Sequence, residues 1–298
     1  MRFQTGTLIV PVAFVMMVTS QADEVGTLDL AEQAFDDQYL GCKKDMERKL
    51  ENHNVLNIEN MKNRNLNRAW KEANKVWKLR RNTLMPKLPQ AFKDDHGIAL
   101  LTYTSFIRSD FNDAVKMAGR SYKSYMDDFG FKWLHFYLTS AFQLLSKSRW
   151  RTDLTVYSGI DDDIEVSLNG SAYVKFGNFL YSSLDKEEAT IFANRSLLII
   201  DAYPGVNIEN FSQFACEREV LVPGYEVFSL YATDEENTYR LHTTGKLCSN
   251  FNCAYINGEK SKQSIHECLK AAAPPIRMHN SGRYTLMMTL LVVVTTLL

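Results

Sequence analysis

Residues 216–228 read CEREVLVPGYEVF, a segment in which two acids precede an apolar, β-branched run. The run EVLVPGYEVF (219–228) has the composition of a β-strand. Successive side chains of a strand point to opposite faces, so Glu217 and Glu219 share one face if both belong to extended chain. Two negative charges side by side repel each other, and a purely structural strand has no need of them. The pair therefore indicates a chemical role.

The segments around this run divide the chain into a helical first half and a β-rich second half. From about residue 152 onward, short β-rich runs separated by turn residues predict strands at 153–159, 172–179, 196–203, 219–228 and 238–244. Helices followed by strands predict an α+β domain, in which a helical amino-terminal half packs on a mixed or antiparallel β core. They do not predict a doubly wound sheet.

Three segments of the first half have the apolar pattern of helices. Residues 57–81 carry apolar side chains at helical spacing, and residues 111–130 repeat the pattern up to Gly130, a residue type that commonly ends helices. Residues 131–147 are apolar around most of the circumference, which predicts a buried helix. His135 lies on this last segment, and we expect it to be a core histidine and not a ligand.

Composition and missing motifs argue against several classes of function. The 298 residues carry a net charge of −1, so nothing indicates a nucleic-acid partner. The glycine loops GxGxxG and GxxxxGK[ST] do not occur, and neither do the catalytic motifs HExxH and GxSxG. No C-x-x-C pair is present, and no histidines stand at zinc-finger spacing from the cysteines. We therefore expect no metal cofactor.

The two ends of the chain have the patterns of processing signals. Residues 1–22 predict a secretory signal peptide, with an uncleaved span as the alternative. Residues 271–298 end in an apolar run and predict a GPI-attachment signal, with a tail-anchored span as the alternative. Attachment at 271–273 or at 280–282 stays open. The domain between the signals spans 23–270, and we expect a lipid anchor to hold it at the cell surface.

Five cysteines and three glycosylation sequons agree with an oxidising, extracellular environment. The odd count leaves at least one cysteine free or paired between chains. The sequons place candidate glycosylation sites at Asn169, Asn194 and Asn210. Cys248 and Cys268 are a candidate disulfide pair, which the sequence alone does not decide.

Segments along most of the chain resemble one protein family in the family's order. VYSG (156–159) ends a predicted strand and is followed by FGNFLYSSL (176–184) and by FSQFACEREVLVPGYEVF (211–228). This order resembles the vertebrate arginine-specific ecto-ADP-ribosyltransferases. Further matching segments lie at 35–46, 99–106, 131–142 and 251–256. The resemblance implies an ADP-ribosyltransferase fold and NAD-dependent mono-ADP-ribosylation of arginine in cell-surface or extracellular proteins.

The resemblance gives the two acids different roles. Breaking the bond between ribose and nicotinamide in NAD passes through an oxocarbenium-like centre, which a nearby carboxylate stabilises. Glu219 matches the acid that does this and that holds a ribose hydroxyl. Glu217 matches the acid that orients the acceptor guanidinium and helps to remove its proton. Free arginine is always charged, so it is a poor nucleophile without such help.

Other positions match the family's NAD site, with two departures. The resemblance implies a disulfide between Cys42 and Cys253, and it implies NAD-binding positions at Tyr103, Ser158, Gly159, Asn178, Ser183 and Ser212. Ser158 stands where the family has an arginine that grips the NAD phosphates, and Tyr181 stands where the family has a serine. These replacements leave open a catalytically inactive member that acts as a surface binding or recognition glycoprotein, and also a leaky NAD hydrolase.

Overall fold

The computed structural model describes residues 26–148, 150–152, 154–160, 164–166, 173–191, 195–213, 217–257 and 265–270. The predicted signal peptide (1–22) and attachment signal (271–298) lie outside these residues, as do Asn169, Asn194 and Cys216. Within the described ranges, no helix has both the length and the apolar character that crossing a membrane requires.

The first half of the described chain is helical, as the apolar spacing predicts. It comprises α1 (Lys43–Asn52), α2 (Val55–Lys62), α3 (Arg64–Leu84), α4 (Asp94–Tyr103), α5 (Arg108–Ala118) and α6 (Lys132–Leu145), with a 3₁₀ turn at Met85–Lys87 and a π-helical turn at Ser124–Asp128. Most of their apolar side chains form one core between the helices and a sheet, and this core includes Phe35, Trp77, Tyr103, Phe142 and Phe211.

The predicted helix at 57–81 is in fact two helices. The chain breaks at Asn63, which has extended backbone angles, and its side chain accepts the N–H of Leu66 at 3.0 Å. An asparagine in this position caps the first turn of the following helix. The apolar spacing continues across the break, so periodicity alone predicts a single helix.

The predicted helix at 111–130 also ends early, at Gly119 and not at Gly130. The amino-terminal segment passes against the end of α5 at this point. A Cβ on Gly119 would lie 2.2 Å from the carbonyl oxygen of Gln33 and 2.4 Å from the backbone of Ala34. Only glycine fits this contact. Because Gln33 and Gly119 are far apart in the sequence, the local pattern around Gly119 does not predict it.

Helix α6 is the predicted buried helix, with every residue from Lys132 to Phe142 buried. Glu59 on α2 caps it, because its carboxylate accepts the N–H of Lys132 at 2.8 Å and that of Trp133 at 3.2 Å. Burial raises the pKa of Glu59 to about 7. His135 is a core histidine, as predicted. Its Nδ1 lies 2.7 Å from the hydroxyl of Tyr39, and burial lowers its pKa to about 3.

The second half forms a mixed sheet with short helices at its edges. The strands are β1 (Gly26–Leu28), β2 (Arg151–Thr152), β3 (Thr155–Ile160), β4 (Ile164–Val166), β5 (Tyr173–Val174), β6 (Leu180–Ser183), β7 (Ser196–Asp201), β8 (Gly205–Asn207), β9 (Glu219–Val222), β10 (Glu226–Ala232) and β11 (Thr238–Leu247). The helices are α7 (Lys186–Ile191), α8 (Ala254–Asn257) and α9 (Ile265–Lys270), and a 3₁₀ turn lies at Glu209–Phe211.

The main sheet of the described residues has nine strands in the order β2-β8-β9-β6-β3-β7-β11-β10-β5, and β1 pairs with β4 beside it. Strands β7 and β11 are parallel, while β9 is antiparallel to both of its neighbours, β8 and β6. The helical half therefore packs on a mixed sheet, which confirms the α+β prediction.

All five predicted strands have counterparts in the sheet; three differ from the prediction only by a few end residues, and two differ more. Of the described part of the predicted strand 172–179, only Tyr173–Val174 belongs to the sheet, because the Lys175 N–H donates to Asp29 at 2.8 Å and Gly177 turns the chain with a φ of 73°. The predicted strand 219–228 is two strands, because a turn at Pro223 and Gly224 separates β9 from β10.

Side-chain alternation along β9 sets the direction of its first residue. Leu221 packs in the core on the helical side, whereas Val220 and Val222 pack in the core on the opposite side of the sheet. Residues two apart on a strand share a face, so Glu219 faces the helical side with Leu221. Tyr181 on β6 lies directly opposite Leu221 and therefore faces the same side.

One disulfide and a buried acid fasten the amino-terminal segment to the late part of the chain, and a second disulfide joins the end of β11 to α9. Cys42 bonds Cys253, as the resemblance implies, and Cys248 bonds Cys268, which decides the pairing left open above. Asp37 accepts the N–H groups of Tyr39, Cys253 and Ala254 at 2.8–2.9 Å.

The neighbouring Asp36 forms a fully buried ion pair with Lys175. Its other oxygen accepts the N–H of Asn250 at 2.6 Å. Asn250 in turn donates to the carbonyl groups of Ala31 and Ala34. The segment before α1 thereby becomes an integral part of the core, although it has almost no regular secondary structure.

Candidate active site

The two acids flank a backbone distortion at the start of β9. Glu219 is the first residue of the strand, and Arg218 before it has a φ of 47°, in the left-handed region. Glu217 therefore lies outside the strand, so the condition under which both acids would share one face of extended chain is not met. Its carbonyl oxygen accepts the Ser183 hydroxyl at 2.7 Å, and the Leu184 N–H donates to Arg218 at 3.2 Å. These bonds fix the acidic loop on the end of β6.

Glu219 is a buried acid without a conventional partner. Its side chain belongs to a residue that is 1% exposed, and neither carboxylate oxygen has a donor of hydrogen-bond geometry within the part of the chain that the structure describes. Burial raises its pKa to about 7, Glu217 raises it further, and the nearby hydroxyls of Ser212 and Tyr181 lower it. The group can therefore hold or release a proton near neutral pH.

Tyr181 connects the acidic loop to the helical layer. Its hydroxyl donates to Oε2 of Glu217, and its ring lies under the guanidinium of Arg108, 3.9 Å from the ring centre. Burial and the bond to Glu217 raise the pKa of the Tyr181 phenol, so it remains a proton donor at neutral pH. Tyr181, which stands where the family has a serine, is therefore hydrogen-bonded to Glu217, the acid expected to orient the acceptor guanidinium.

Ser158 offers no charge to this site. It lies on β3, it is buried, and its hydroxyl donates to the carbonyl oxygen of Tyr181 at 2.9 Å. Gly159 follows it on the same strand and pairs with Leu197. A small cleft opens beside these strands and α7, and it is lined by Tyr157, Ser158, Gly159, Tyr181, Ser183, Glu188, Ala189 and Glu217.

Ser212 reaches Glu219 from the loop that follows β8. It is fully buried, and its carbonyl oxygen accepts Nη1 of Arg80 at 2.6 Å. The same nitrogen donates to the carbonyl oxygen of Asn210 at 3.2 Å, while the Asn210 side chain is exposed, as a glycosylation site requires. Arg80 on α3 therefore holds the loop that carries Ser212, a role that sequence reasoning missed.

Tyr103 lies behind the acidic loop, whereas Asn178 lies at the other end of β6. Tyr103 is fully buried and donates to the carbonyl oxygen of Phe179 at 2.7 Å. Burial raises the pKa of this tyrosine to about 12, and the nearby charges of Arg108 and Glu219 lower and raise it, respectively. Asn178 lies beyond the other end of β6, where a Cβ on Gly224 would approach its backbone to 2.5 Å. The structure therefore gathers the other predicted positions around the acids, but not Asn178.

Arg108 is the clearest functional candidate that the sequence pattern missed. It begins α5, it is half-buried, and within the described chain its guanidinium stacks on Tyr181 and forms no ion pair. A cation in the first turn of a helix opposes the helix dipole. This unfavourable placement of Arg108 in the segment SFIRSD (105–110) is the sequence feature that could have indicated a functional role.

The chain is similar to known proteins over most of its length. The profile of the family described as NAD:arginine ADP-ribosyltransferase matches residues 28–249. The chain belongs to this family. Human ecto-ADP-ribosyltransferase 3 is 34% identical over 94% of this chain and 72% of its own length. The mouse GPI-linked NAD(P)(+)–arginine ADP-ribosyltransferase 1 is 37% identical over 79% of this chain and 75% of its own length.

A solved structure extends the family match to the fold. A mutant of the eukaryotic mono-ADP-ribosyltransferase ART2.2 in complex with NADH superposes with a TM-score of 0.66 at 38% identity, and the match covers 77% of this chain and 99% of that protein. The ADP-ribosyltransferase fold is therefore shown. Within the described ranges, no three His, Cys, Asp or Glu side chains cluster in a way that could hold a metal ion.

Proposed function

We propose that this member of the ADP-ribosyltransferase family transfers ADP-ribose from NAD to arginine side chains of extracellular proteins. The observation that carries the proposal is Glu219, a carboxylate that is almost fully buried, lacks a conventional donor and stands beside a second acid. Burying an ionised carboxylate that has no partner lowers the stability of the fold. Unpaired acids of this kind are typical of reaction centres.

Glu219 is the group that meets NAD. The dinucleotide supplies a ribose whose bond to nicotinamide breaks with positive charge developing on the sugar. The two oxygens of Glu219 can accept hydroxyl groups of that ribose, since neither has a donor of good geometry among the described residues. In its ionised form the carboxylate also stabilises the developing charge, and a site that excludes water strengthens this effect.

Glu217 is the group that meets the acceptor. A guanidinium binds a carboxylate through a planar pair of hydrogen bonds and must lose a proton before its nitrogen can attack. Oε2 of Glu217 holds the Tyr181 hydroxyl in the structure, so an acceptor arginine shares or displaces that bond. Tyr181 thereby controls access to Glu217.

Arg108 is the cation that this chain offers to the phosphates of NAD. Ser158 is neutral and engaged with the Tyr181 backbone, whereas the Arg108 guanidinium lies over the ring of Tyr181, whose hydroxyl bonds Glu217. A guanidinium matches phosphate geometry with paired donors. Tyr103, Gly159, Ser183 and Ser212 complete the proposed NAD contacts, together with Asn178 at the far end of β6.

We further propose display on the outer cell surface by a lipid anchor. The relatives described above carry the names ecto- and GPI-linked, which supports a surface location. The signal-like residues 1–22 and the apolar end 271–298 support export and anchoring. Two disulfides agree with an oxidising compartment.

The test incubates the full chain with labelled NAD and agmatine, a small guanidine acceptor. We expect labelled ADP-ribosyl agmatine and free nicotinamide. Glu219→Gln should abolish both products, while Glu187→Gln, which removes an exposed acid on α7, should leave both unchanged. Folded protein that yields neither product is instead the inactive recognition glycoprotein. Nicotinamide release without transfer identifies an NAD hydrolase.

A second measurement separates the two replaced positions. Tyr181→Phe removes only the hydroxyl that occupies Glu217, so transfer to agmatine should rise by about tenfold, the worth of one charged hydrogen bond. Ser158→Arg should lower the apparent KM for NAD and leave the KM for agmatine unchanged. A Tyr181→Phe variant with unaltered transfer would show that the hydroxyl does not restrict the acceptor side.

A further inference from the structure

A second cleft lies at the opposite end of β9 from the acids. It encloses about 660 Å³, within the range of small-molecule sites. The start of α1, the end of α6 and the turn after β9 form its walls, with Tyr225 on the side of the turn. Glu219 begins β9 and Tyr225 follows its end, so the whole strand separates this cleft from the candidate active site.

The cleft is lined by more positive than negative charge. Lys43, Lys44, Arg48 and Lys147 line it, and Asp45 is the one acid among its described lining residues. Asp45 is already paired with Arg48. The three lysines have no ion-pair or hydrogen-bond partner within the described part of the chain. The charge of the lysines is therefore uncompensated.

The lysines come from two separate elements that the fold brings together. Lys43 and Lys44 open α1, and Lys147 is the second residue after the end of α6. Burial and the proximity of Lys147 both lower the pKa of Lys43, which is half-buried. The positive end of α1 adds to the same potential. Like charges gathered in a recess are relieved by a bound anion.

The remaining lining suits an anion that is carried on a ring or chain of carbon atoms. Leu40 and Leu247 are exposed beside the lysines, and Gln38 and Gln143 provide amide groups. The Gln143 amide donates to the carbonyl oxygen of Gln38 at 2.9 Å, so that part of the wall is held in place. An inorganic ion alone would leave this surface uncovered.

We infer that the cleft binds a sulfate or phosphate ester on a sugar-sized molecule, with Lys43, Lys44 and Lys147 as its ligands. The shared chemistry is a tetrahedral oxyanion on a cyclic carrier. Sulfated glycans and phosphorylated sugars both present it. The site rests on its own residues and does not depend on transferase activity.

Isothermal titration calorimetry on the full chain, produced through a secretory host, tests the site with two probes. One probe is a trisulfated heparin disaccharide, and the other is inositol trisphosphate, which carries the same number of tetrahedral oxyanions. We expect binding that weakens as salt is raised, since surface charges are screened. Lys43→Gln and Lys147→Gln should each weaken binding by about tenfold. Lys43→Arg, which keeps the positive charge, should bind the probes like the parent.

The control neutralises Lys71, Lys75 and Lys78, three exposed lysines on α3 that change the net charge without touching the cleft. This triple glutamine variant should bind like the parent. Binding of either probe supports the site, and the tighter probe identifies sulfate or phosphate as its source. Absence of binding by both probes at low salt overturns the proposal, and so does equal weakening in the α3 control. Glu219→Gln should bind both probes normally, so loss of transfer activity is distinguishable from loss of this site.

Discussion

Replacing Glu219 with glutamine should stabilise the fold and abolish the proposed reaction. The carboxyl is 1% exposed, and its pKa rises from 4.5 to about 7 because it is buried beside Glu217. A rise of this size corresponds to roughly 3 kcal/mol between the protonated and ionised forms. Since the folded pKa is the higher one, this contribution is fully present below pH 4.5 and is lost as pH rises through 7.

Glutamine is neutral at every pH and has nearly the same shape. The variant should therefore match the parent near pH 4.5 and exceed its free energy of unfolding by about 3 kcal/mol at pH 8. Urea unfolding of the full chain, followed by tryptophan fluorescence from pH 4.5 to 8, measures the difference. Comparing the two proteins at each pH removes the contributions of Glu59 and other buried acids, which both share.

Glu217→Gln is the matched control, because this acid already accepts the Tyr181 hydroxyl. Glutamine keeps an oxygen that can accept this hydroxyl, but the bond becomes a neutral one, so the substitution should lower the free energy of unfolding by about 1 kcal/mol. A Glu219→Gln gain that is constant between pH 4.5 and 8 would refute the reasoning, because the ionised carboxylate would then carry no penalty of burial.

Three further predictions concern the scaffold. His96 accepts the Lys93 N–H through Nδ1 at 2.7 Å, and burial lowers its pKa from 6.5 to about 4. Because the folded pKa is the lower one, His96 contributes roughly 3 kcal/mol to the free energy of unfolding above pH 6.5, and this contribution should be lost as pH falls through 4. Urea unfolding of His96→Gln should lack this pH dependence. Asp37→Ala leaves three N–H groups without their acceptor and should lower the free energy of unfolding by about 3 kcal/mol; a thermal midpoint equal to the parent's would contradict this role. Removing the disulfide by Cys42→Ser with Cys253→Ser should lower the free energy of unfolding by roughly 2–5 kcal/mol. Limited proteolysis of the variant and of the unreduced parent measures this loss. Equal cleavage rates would show that the bond is dispensable.

The parts of the fold that were predictable depend on local pattern or on matched segments. The buried character of α6 follows from apolar residues around its circumference, and the α+β class follows from helices that precede strands. The bond between Cys42 and Cys253 follows from the family resemblance. None of these required knowledge of how distant segments meet.

The parts that were missed are contacts between distant segments. Gly119 ends α5 because the backbone at Gln33 crosses it, and Arg108 stacks on Tyr181 across 73 positions of sequence. The left-handed φ of Arg218 moves Glu217 out of the strand, although alternation predicts a shared face with Glu219. Spacing along the chain determines which faces are apolar, but it does not determine which helix end lies over which strand.

The two disulfides also define how the domain bears mechanical load. Tension applied between the described ends runs to Cys42, crosses to Cys253, returns to Cys248 and crosses to Cys268. The residues between Cys42 and Cys248 lie off this path, and the whole sheet from β2 to β11 is among them. Tension between the two ends is therefore carried by short covalent links, while the strand that carries Glu219 stays unloaded.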